Sequence, residues 1–219
     1  DATGYVIVKV NGTEYGVNIT QTKELKVSVG NAGTYDVVAT YLGDDVYLGS
    51  SNSTTFEASK VSGNVSVEIS DAVAGGDMTV KVTLPDNATG NITVTVGNET
   101  KTVEAHGGEN TIVFTNVTEG QQNVTTVYSG DGKYASQTVN KTVNVISSIN
   151  SKNLKRGWNS PYEFEAEFLD KDGHVLKNTN VKFVVNGETY KVKTDDKGIA
   201  RLTASKLDIG KYNVTSINT

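Results

Sequence analysis

The chain has few residues with which catalysis could begin. It contains no cysteine, and its two histidines, His106 and His174, lie in glycine-rich stretches that are typical of turns. Neither histidine has a nucleophile beside it in the sequence. Carboxylate pairs can form a hydrolase site, but no spacing singles one out. We therefore expect a protein that is not an enzyme and that takes no cofactor.

A short aspartate loop occurs twice and is the best candidate for contact with a partner. Residues 41–47 read Tyr-Leu-Gly-Asp-Asp-Val-Tyr, and residues 128–134 read Tyr-Ser-Gly-Asp-Gly-Lys-Tyr. The side chains that could touch a partner are those of Asp44, Asp45, Tyr47, Asp131 and Tyr134. Gly-Asp favours a turn, and the flanking tyrosines can cover the end of a β-sandwich with their hydroxyls in water.

Calcium is the alternative use of these aspartates. Hard cations need six or more oxygen ligands, and each loop offers only one or two carboxylates. Two other pairs, Asp170 with Asp172 and Asp195 with Asp196, lack the full spacing of a calcium loop. We therefore predict no metal site, and we interpret both aspartate loops and both of these pairs as turns.

Acceptor sites for N-linked sugar are the strongest compositional signal. The pattern Asn-x-Ser/Thr occurs eleven times among 21 asparagines, well above the roughly four expected by chance from the Ser/Thr content. The acceptors are Asn11, Asn18, Asn52, Asn64, Asn87, Asn91, Asn98, Asn116, Asn123, Asn140 and Asn213. A Thr-rich β-protein could also produce such triplets by accident. We predict glycosylation at several of them if the chain is exported.

Charge and hydropathy argue against nucleic acid as a partner and against a membrane span in this chain. The net charge is −5, and it divides unevenly: residues 1–146 carry 8 Lys/Arg against 16 Asp/Glu (−8), and residues 147–219 carry 12 against 9 (+3). An acidic majority argues against nucleic acid, because phosphate contacts need clustered Lys and Arg. No apolar run approaches the roughly 18 residues of a membrane span.

A hairpin signature recurs three times and sets the spacing of the chain. β-branched residues alternate up to an Asn/Gly pair and resume beyond it, around residues 11–12, 97–98 and 186–187. The copies lie 86 residues apart (Val10 to Val96) and 89 apart (Val96 to Val185). This spacing predicts three units, at residues 1–60, 61–146 and 147–219.

Short strands at intervals of about 8 to 12 residues predict tandem immunoglobulin-like β-sandwich domains, an all-β fold. Besides the hairpins, unit one has predicted strands at residues 15–19, 25–29, 35–41 and 54–58. Unit two has them at residues 65–69, 78–84, 111–114, 124–128 and 138–145, and unit three at residues 162–168, 199–203 and 212–216. Unit one has no counterpart of residues 61–86, so we expect it to lack its leading strands. Unit three is expected to lack its last strand.

The pattern from Gly33 to Tyr47, Gly-x-Tyr-x-Val-x-Ala-x-Tyr-x-Gly-Asp-x-x-Tyr, together with the Val-Asn-Gly-x-Glu hairpin, resembles a known family. It is similar to the Ig-like repeats of adhesin-like surface proteins, especially those of methanogenic archaea. Unit three, with Val-Asn-Gly-Glu-Thr-Tyr at residues 185–190, resembles bacterial Ig-like domains of the invasin/intimin kind. The resemblance implies an extracellular, cell-surface protein made of many repeats. Its implied partners are neighbouring repeats and a glycan or protein receptor on a cell surface.

Three functional hypotheses follow. The first is a non-catalytic stalk or adhesin segment that gives reach and presents other parts of the protein. The second is a self-assembling surface or fibre subunit, in which a strand of one chain completes the sheet of another. The third is a carbohydrate-binding accessory module, which needs an aromatic platform; Trp158 beside Tyr162 is the only hint of one, and capping the core of unit three is the alternative role of Trp158.

Overall fold

The protein is built from β-strands. The computed structural model describes residues 1–156, 163–203 and 210–218, and within these ranges it contains seventeen strands and no helix. All pairings between these strands are antiparallel. The predicted all-β fold is confirmed.

Unit one consists of a single four-stranded sheet. Its strands are β1 (Tyr5–Val10), β2 (Thr13–Asn18), β3 (Gly33–Tyr41) and β4 (Ser50–Ala58), in the order β2-β1-β3-β4. All of residues 1–60 are described, and only Val10 and Val17 among them are buried.

Unit two is a two-sheet sandwich with a dense core. Its strands are β5 (Ser66–Ile69), β6 (Met78–Leu84), β7 (Asn91–Val96), β8 (Glu99–Glu104), β9 (Gly108–Phe114), β10 (Gly120–Tyr128) and β11 (Gln137–Val145). One sheet has the order β5-β6-β9 and the other β11-β10-β7-β8. Alternate residues point inward, so Val80 and Val82 of β6 share one buried cluster with Ile92 and Val94 of β7.

Unit three repeats the two-sheet plan on a smaller scale. Its strands are β12 (Ile149–Ser151), β13 (Glu163–Phe168), β14 (Asn180–Val185), β15 (Glu188–Lys193), β16 (Ile199–Thr203) and β17 (Val214–Ile217). The sheets run β12-β13-β16 and β15-β14-β17. Phe183 meets both Phe164 and Phe168 edge to face, and Phe168 and Phe183 are fully buried.

All three predicted hairpins are present, each with a two-residue turn. Val10 pairs with Thr13, Val96 with Glu99, and Val185 with Glu188. The first and third turns have positive φ at both positions, 43° and 87° at residues 11–12 and 50° and 84° at residues 186–187. Asn and Gly are the residues that adopt such angles most readily.

The strand predicted at residues 25–29 is wrong. This segment has no strand pairing, although it alternates as Leu25, Val27 and Val29. Its counterpart in unit two is β9, whose only sheet neighbour is β6. Residues 1–60 contain no equivalent of β6, so the backbone of the segment has no partner strand. Alternation alone cannot make a strand without one.

Candidate functional site

The aspartate loop of unit two is closed by its own carboxylate. Asp131 Oδ1 accepts hydrogen bonds from the backbone N–H groups of Lys133 (2.8 Å) and Tyr134 (2.7 Å). Its Oδ2 accepts from the N–H of Thr89 (2.8 Å) and from the hydroxyl of Tyr128 (3.0 Å). One side chain therefore shapes the loop and fastens it to the connection between β6 and β7.

Asp44 does the same in unit one. Its Oδ1 accepts from the backbone N–H groups of Val46 (2.9 Å) and Tyr47 (2.7 Å), and its Oδ2 accepts from the N–H of Thr3 (2.8 Å). Thr3 occupies the place of Thr89, and the hydroxyls of both threonines also donate to the aspartate. The two loops are copies in geometry as well as in sequence.

These hydrogen bonds keep both carboxylates ionised. The N–H groups of Thr3, Val46 and Tyr47 hold the pKa of Asp44 well below its usual range. At Asp131 burial acts to raise the pKa, but the N–H groups of Tyr134, Thr89 and Lys133 outweigh it, so that pKa also lies well below its usual range. Burial, together with the hydrogen bond to Asp131, raises the pKa of Tyr128 to about 12.

These hydrogen bonds limit what Asp44 and Asp131 can do chemically. A carboxylate has about four acceptor positions, and each of these two accepts at least four hydrogen bonds from the protein. Tyr134 is only 8% exposed, with its hydroxyl donating to the carbonyl of Asp86 (3.2 Å). Tyr47 is 47% exposed and Asp45 is also exposed. Contact with a partner through Asp45 and Tyr47 stays a prediction.

A second repeated device holds the start of β3 and β10. The hydroxyl of Tyr35 donates to the carbonyl of Asn31 (2.7 Å), which is the hydrogen bond of a tyrosine corner. Gln122 stands in the same place in unit two, and its Nε2 donates to the carbonyl of Thr118 (3.1 Å). The role is therefore structural in both units, and two different side chains fill it.

One cluster in unit three has the residue types of a metal site. Ligand atoms of Asp170, Asp172 and His174 lie within 4.8 Å of one another. Asp170 Oδ1, however, accepts the N–H groups of Asp172 and His174 (both 2.9 Å), and Asp172 Oδ1 receives Lys171 Nζ (2.8 Å). Asp172 and His174 are exposed. These contacts describe a turn, as predicted from its residues.

An ion network on the outer face of unit three was not visible in the sequence. Arg201 on β16 lies across from Glu165 on β13, and its Nε donates to Glu165 Oε1 (2.7 Å). A second guanidinium nitrogen donates to Asp195 Oδ2 (2.7 Å). The Arg201 bond and the N–H of Ile199 lower the pKa of Asp195 to about 2. Only the register of β13 with β16 brings Arg201 and Glu165 together.

Ten of the eleven acceptor asparagines are exposed, and Asn18 is half-buried. Asn11, Asn64, Asn87 and Asn116 have positive φ and lie in turns or connections. On adjacent strands β10 and β11 two acceptor triplets pair reciprocally: Asn123 lies opposite Thr142, and Thr125 lies opposite Asn140. Their side chains therefore share the outer face of the sheet.

The junctions between units are made of direct contacts. The backbone N–H of Ala32 in unit one donates to the carbonyl of Gly132 in unit two (2.8 Å). In unit two, the turn at residues 73–76 meets the turn at residues 171–173 of unit three. A Cβ on Gly76 would overlap the carbonyl oxygen of Lys171, and one on Gly173 would lie 3.2 Å from Val73 Cγ2. Sequence alone gave no sign of these contacts.

No protein-family model and no curated protein matches the chain. Solved structures similar to it include a Ca²⁺-stabilised adhesin with which an Antarctic bacterium binds ice (TM-score 0.31, 14% identity, 99% of this chain and 64% of that one). They also include a 1.5-MDa bacterial ice-binding adhesin (TM-score 0.32, 14% identity, 99% of this chain and 85% of that one). A third similar structure is that of domains 1–6 of the surface layer protein SbsC (TM-score 0.32, 16% identity, 98% of this chain and 32% of that one). The chain thus spans less than two thirds of the first and third structures, and likeness at this level defines neither a family nor a function.

No helix long and apolar enough to cross a membrane occurs among the described residues. Trp158 and Tyr162, on which the carbohydrate-binding hypothesis rests, lie outside them.

Proposed function

We propose that the chain is a non-catalytic repeat segment of a secreted cell-surface adhesin or stalk. In this role it gives reach and presents other parts of the protein, and its immediate partners are neighbouring repeats. A glycan or protein receptor on a cell surface is the class of ligand that the whole protein would meet. The Ig-like resemblance of the repeats supports the extracellular setting.

The observation that carries the proposal is the pair of close junctions. A stalk transmits force and keeps its length only if successive units touch, because flexible linkers let domains reorient freely. Here a backbone hydrogen bond joins units one and two, and two glycine-containing turns meet between units two and three.

The titratable groups support the same role. The strongly shifted carboxylates, Asp44, Asp131 and Asp195, are each engaged by backbone N–H groups or by Arg201. Perturbed pKa values often mark catalytic sites, but they also arise in structural networks. Among the residues that the structure describes, none of these carboxylates has a histidine as a hydrogen-bond partner.

Small-angle X-ray scattering of the intact chain tests the stalk. A compact chain of 219 residues would have a radius of gyration of about 17 Å. Three units in line, each up to about 30 Å long from strands of up to nine residues, predict a radius of gyration of about 25–30 Å and a distance distribution with a long tail. A symmetric distribution with the compact value, at all concentrations, would contradict the proposal.

We also propose that the exported protein is glycosylated on several of its acceptor asparagines. The exposure of Asn11, Asn64, Asn123 and Asn140 supports this, because an oligosaccharyl transferase must reach the side-chain amide. Intact mass spectrometry of native material should show a ladder above 23.3 kDa that collapses after enzymatic removal of N-glycans. A single mass equal to that of the bare chain would remove the proposal.

A further inference from the structure

The sheet of unit one and the larger sheet of unit two have the same register but unequal burial. Val6 lies opposite Tyr41 on β3, as Ile92 lies opposite Tyr128 on β10. Ile92 and Val94 are fully buried, whereas the corresponding Val6 and Val8 are only half-buried. The same alternation therefore presents an apolar face that nothing in the described structure covers completely.

The difference comes from β5, β6 and β9, which cover the larger sheet of unit two. The inward residues of β6 are Met78, Val80, Val82 and Leu84, and none is more than 3% exposed. Unit one retains a counterpart of β9 alone, at residues 25–29, and this segment forms no strand. In unit two that strand is held by β6, which is the piece that unit one lacks.

The loop at residues 42–48 shows a second, separate gap. In unit two the matching loop is covered by Val61, whose N–H donates to the carbonyl of Lys133 (3.0 Å), and by Asp86, which accepts from Tyr134. In unit one Tyr47 stands in the place of the buried Tyr134 and is 47% exposed, and its neighbours Val46 and Leu48 are 80% and 94% exposed. Three adjacent apolar side chains this exposed indicate a contact surface.

Residues 1–4, which lead into β1, already have the conformation that follows a strand covering the unit-one sheet and the loop at residues 42–48. Thr3 donates to Asp44 as Thr89 donates to Asp131, and Gly4 has φ 90° where Gly90 has 98°. Ile19 N–H donates to the carbonyl of Gly4 (3.1 Å), as Ala105 N–H does to that of Gly90 (2.9 Å). Residues 1–4 therefore hold the conformation in which residues 87–90 lead from β6 into β7.

We infer that the apolar face of the unit-one sheet, together with residues 46–48, is a docking surface for a pair of antiparallel strands built like β5 and β6 and leading into β1. The second strand of the pair carries an apolar residue at every other position, hydrogen-bonds to residues 25–29, and turns these residues into the third strand of a covering sheet. The surface binds β-strands by main-chain pairing and by period-two apolar contacts.

The test places a second copy of residues 61–86 directly before Asp1 of the full chain, so that Asp86 of the copy precedes Asp1 as it precedes Asn87. Hydrogen exchange followed by mass spectrometry then compares the extended and original chains. We expect exchange at residues 25–29 to slow by at least about 100-fold, and exchange at β1 to slow as well. The matched control carries Val80→Asp and Val82→Asp in the added copy only, and it should exchange like the original chain.

Two results would overturn the inference. In one, residues 25–29 exchange equally fast with and without the added copy while β7 and β10 stay protected, which shows that the extension does not dock. In the other, the original chain already protects residues 25–29 in a concentration-dependent dimer, which shows that a second copy covers the face. Sedimentation of both chains over a wide concentration range separates these results from the expected one.

Discussion

Asp131 illustrates how one residue can shape a loop and anchor it to a neighbouring connection. Its carboxylate replaces water for backbone N–H groups that the turn would otherwise leave without partners, and it receives the hydroxyl of the fully buried Tyr128. Hydrogen bonds to a charged acceptor are stronger than neutral ones, so the loop depends on this side chain more than its exposed position would suggest.

The first prediction concerns that side chain. Asp131→Ala should destabilise unit two by about 2–4 kcal/mol, since it leaves several donors without an acceptor. Hydrogen exchange at β7 and β10 is the appropriate measurement, because three units need not unfold together. Asp45→Ala, in the exposed position of the unit-one loop, should change the stability of β1 and β3, measured in the same way, by less than about 0.5 kcal/mol. Equal effects from the two variants would contradict the conclusion that the Asp131 carboxylate holds its loop in place.

The second prediction is an acid limb in the stability of unit three. An unfolded aspartate has a pKa of about 3.9, and Arg201 with the N–H of Ile199 lowers that of Asp195 to about 2. The unfolded chain therefore binds more protons between these values, so the contribution of Asp195 is complete above about pH 5 and is lost as the pH falls from about 4 to 2.

Denaturant midpoints of unit three at pH 7, 4, 3 and 2 would test this. Asp195→Asn should lower the midpoint at pH 7 and flatten its decline between pH 4 and 2. Asp196→Asn is the control, and it should leave the steepness of that decline unchanged. If the midpoint of Asp195→Asn fell as steeply between pH 4 and 2 as that of the original chain, other groups would be responsible for the loss of stability in acid.

For single residues, the sequence predicted local turns better than it predicted hydrogen-bond partners that are remote in the chain. The Gly-Asp pairs indicated turns, because turn formation depends on neighbouring residues. The link from Asp131 to Thr89 spans 42 residues, and the link from Arg201 to Glu165 spans 36. Such pairs become visible only when strand register is known.

Among the elements, β9 and residues 25–29 show what an alternating pattern can and cannot specify. Both alternate, but only β9 has a neighbour to accept its backbone hydrogen bonds. The hairpins were predictable because the partner strand lies two residues away. The three-residue strand β12 was missed because so short a segment carries no period.

The third prediction compares the same substitution at matched positions of two sheets. Val94→Ala removes fully buried methyl groups and should cost about 2–3 kcal/mol, whereas Val8→Ala, at a half-buried position, should cost less than about 1 kcal/mol. Chemical denaturation monitored unit by unit through hydrogen exchange would measure both. Equal costs would show that the unit-one face is as well packed as the core of unit two.

At the scale of the whole molecule, close approach of backbones decides how neighbouring units fit. Gly76 meets the carbonyl of Lys171, and main chain cannot move aside as a side chain can. At the other junction Gly132 meets the side-chain amide of Asn31, which can rotate away.

The fourth prediction follows from this difference. Gly76→Ala should open the junction between units two and three and raise the radius of gyration or broaden the distance distribution, with each unit still folded. Gly132→Ala should leave the scattering curve unchanged. The two variants should be compared by small-angle X-ray scattering at matched concentration, and identical curves would mean that the Gly76 contact does not fix the junction.

The hairpin spacing predicts three units, because repetition is a property of sequence. The junctions could not be predicted, since they join turns that are remote in the chain, such as residues 73–76 with 171–173. A contact between two glycine-containing turns leaves no periodic signal. The spacing of short strands likewise indicated an all-β fold but not which sheet lacks a cover.

The outer strands β4 and β11 have a consequence for solubility. Each is nine residues long and lies at the edge of its sheet, where free backbone groups can recruit another chain and start aggregation. Asn52 lies on β4 and Asn140 on β11, so with the proposed sugar attached each edge carries a bulky hydrophilic group. Stripping the glycans would then make concentrated protein precipitate sooner, because the bare edges could pair with the edges of other chains.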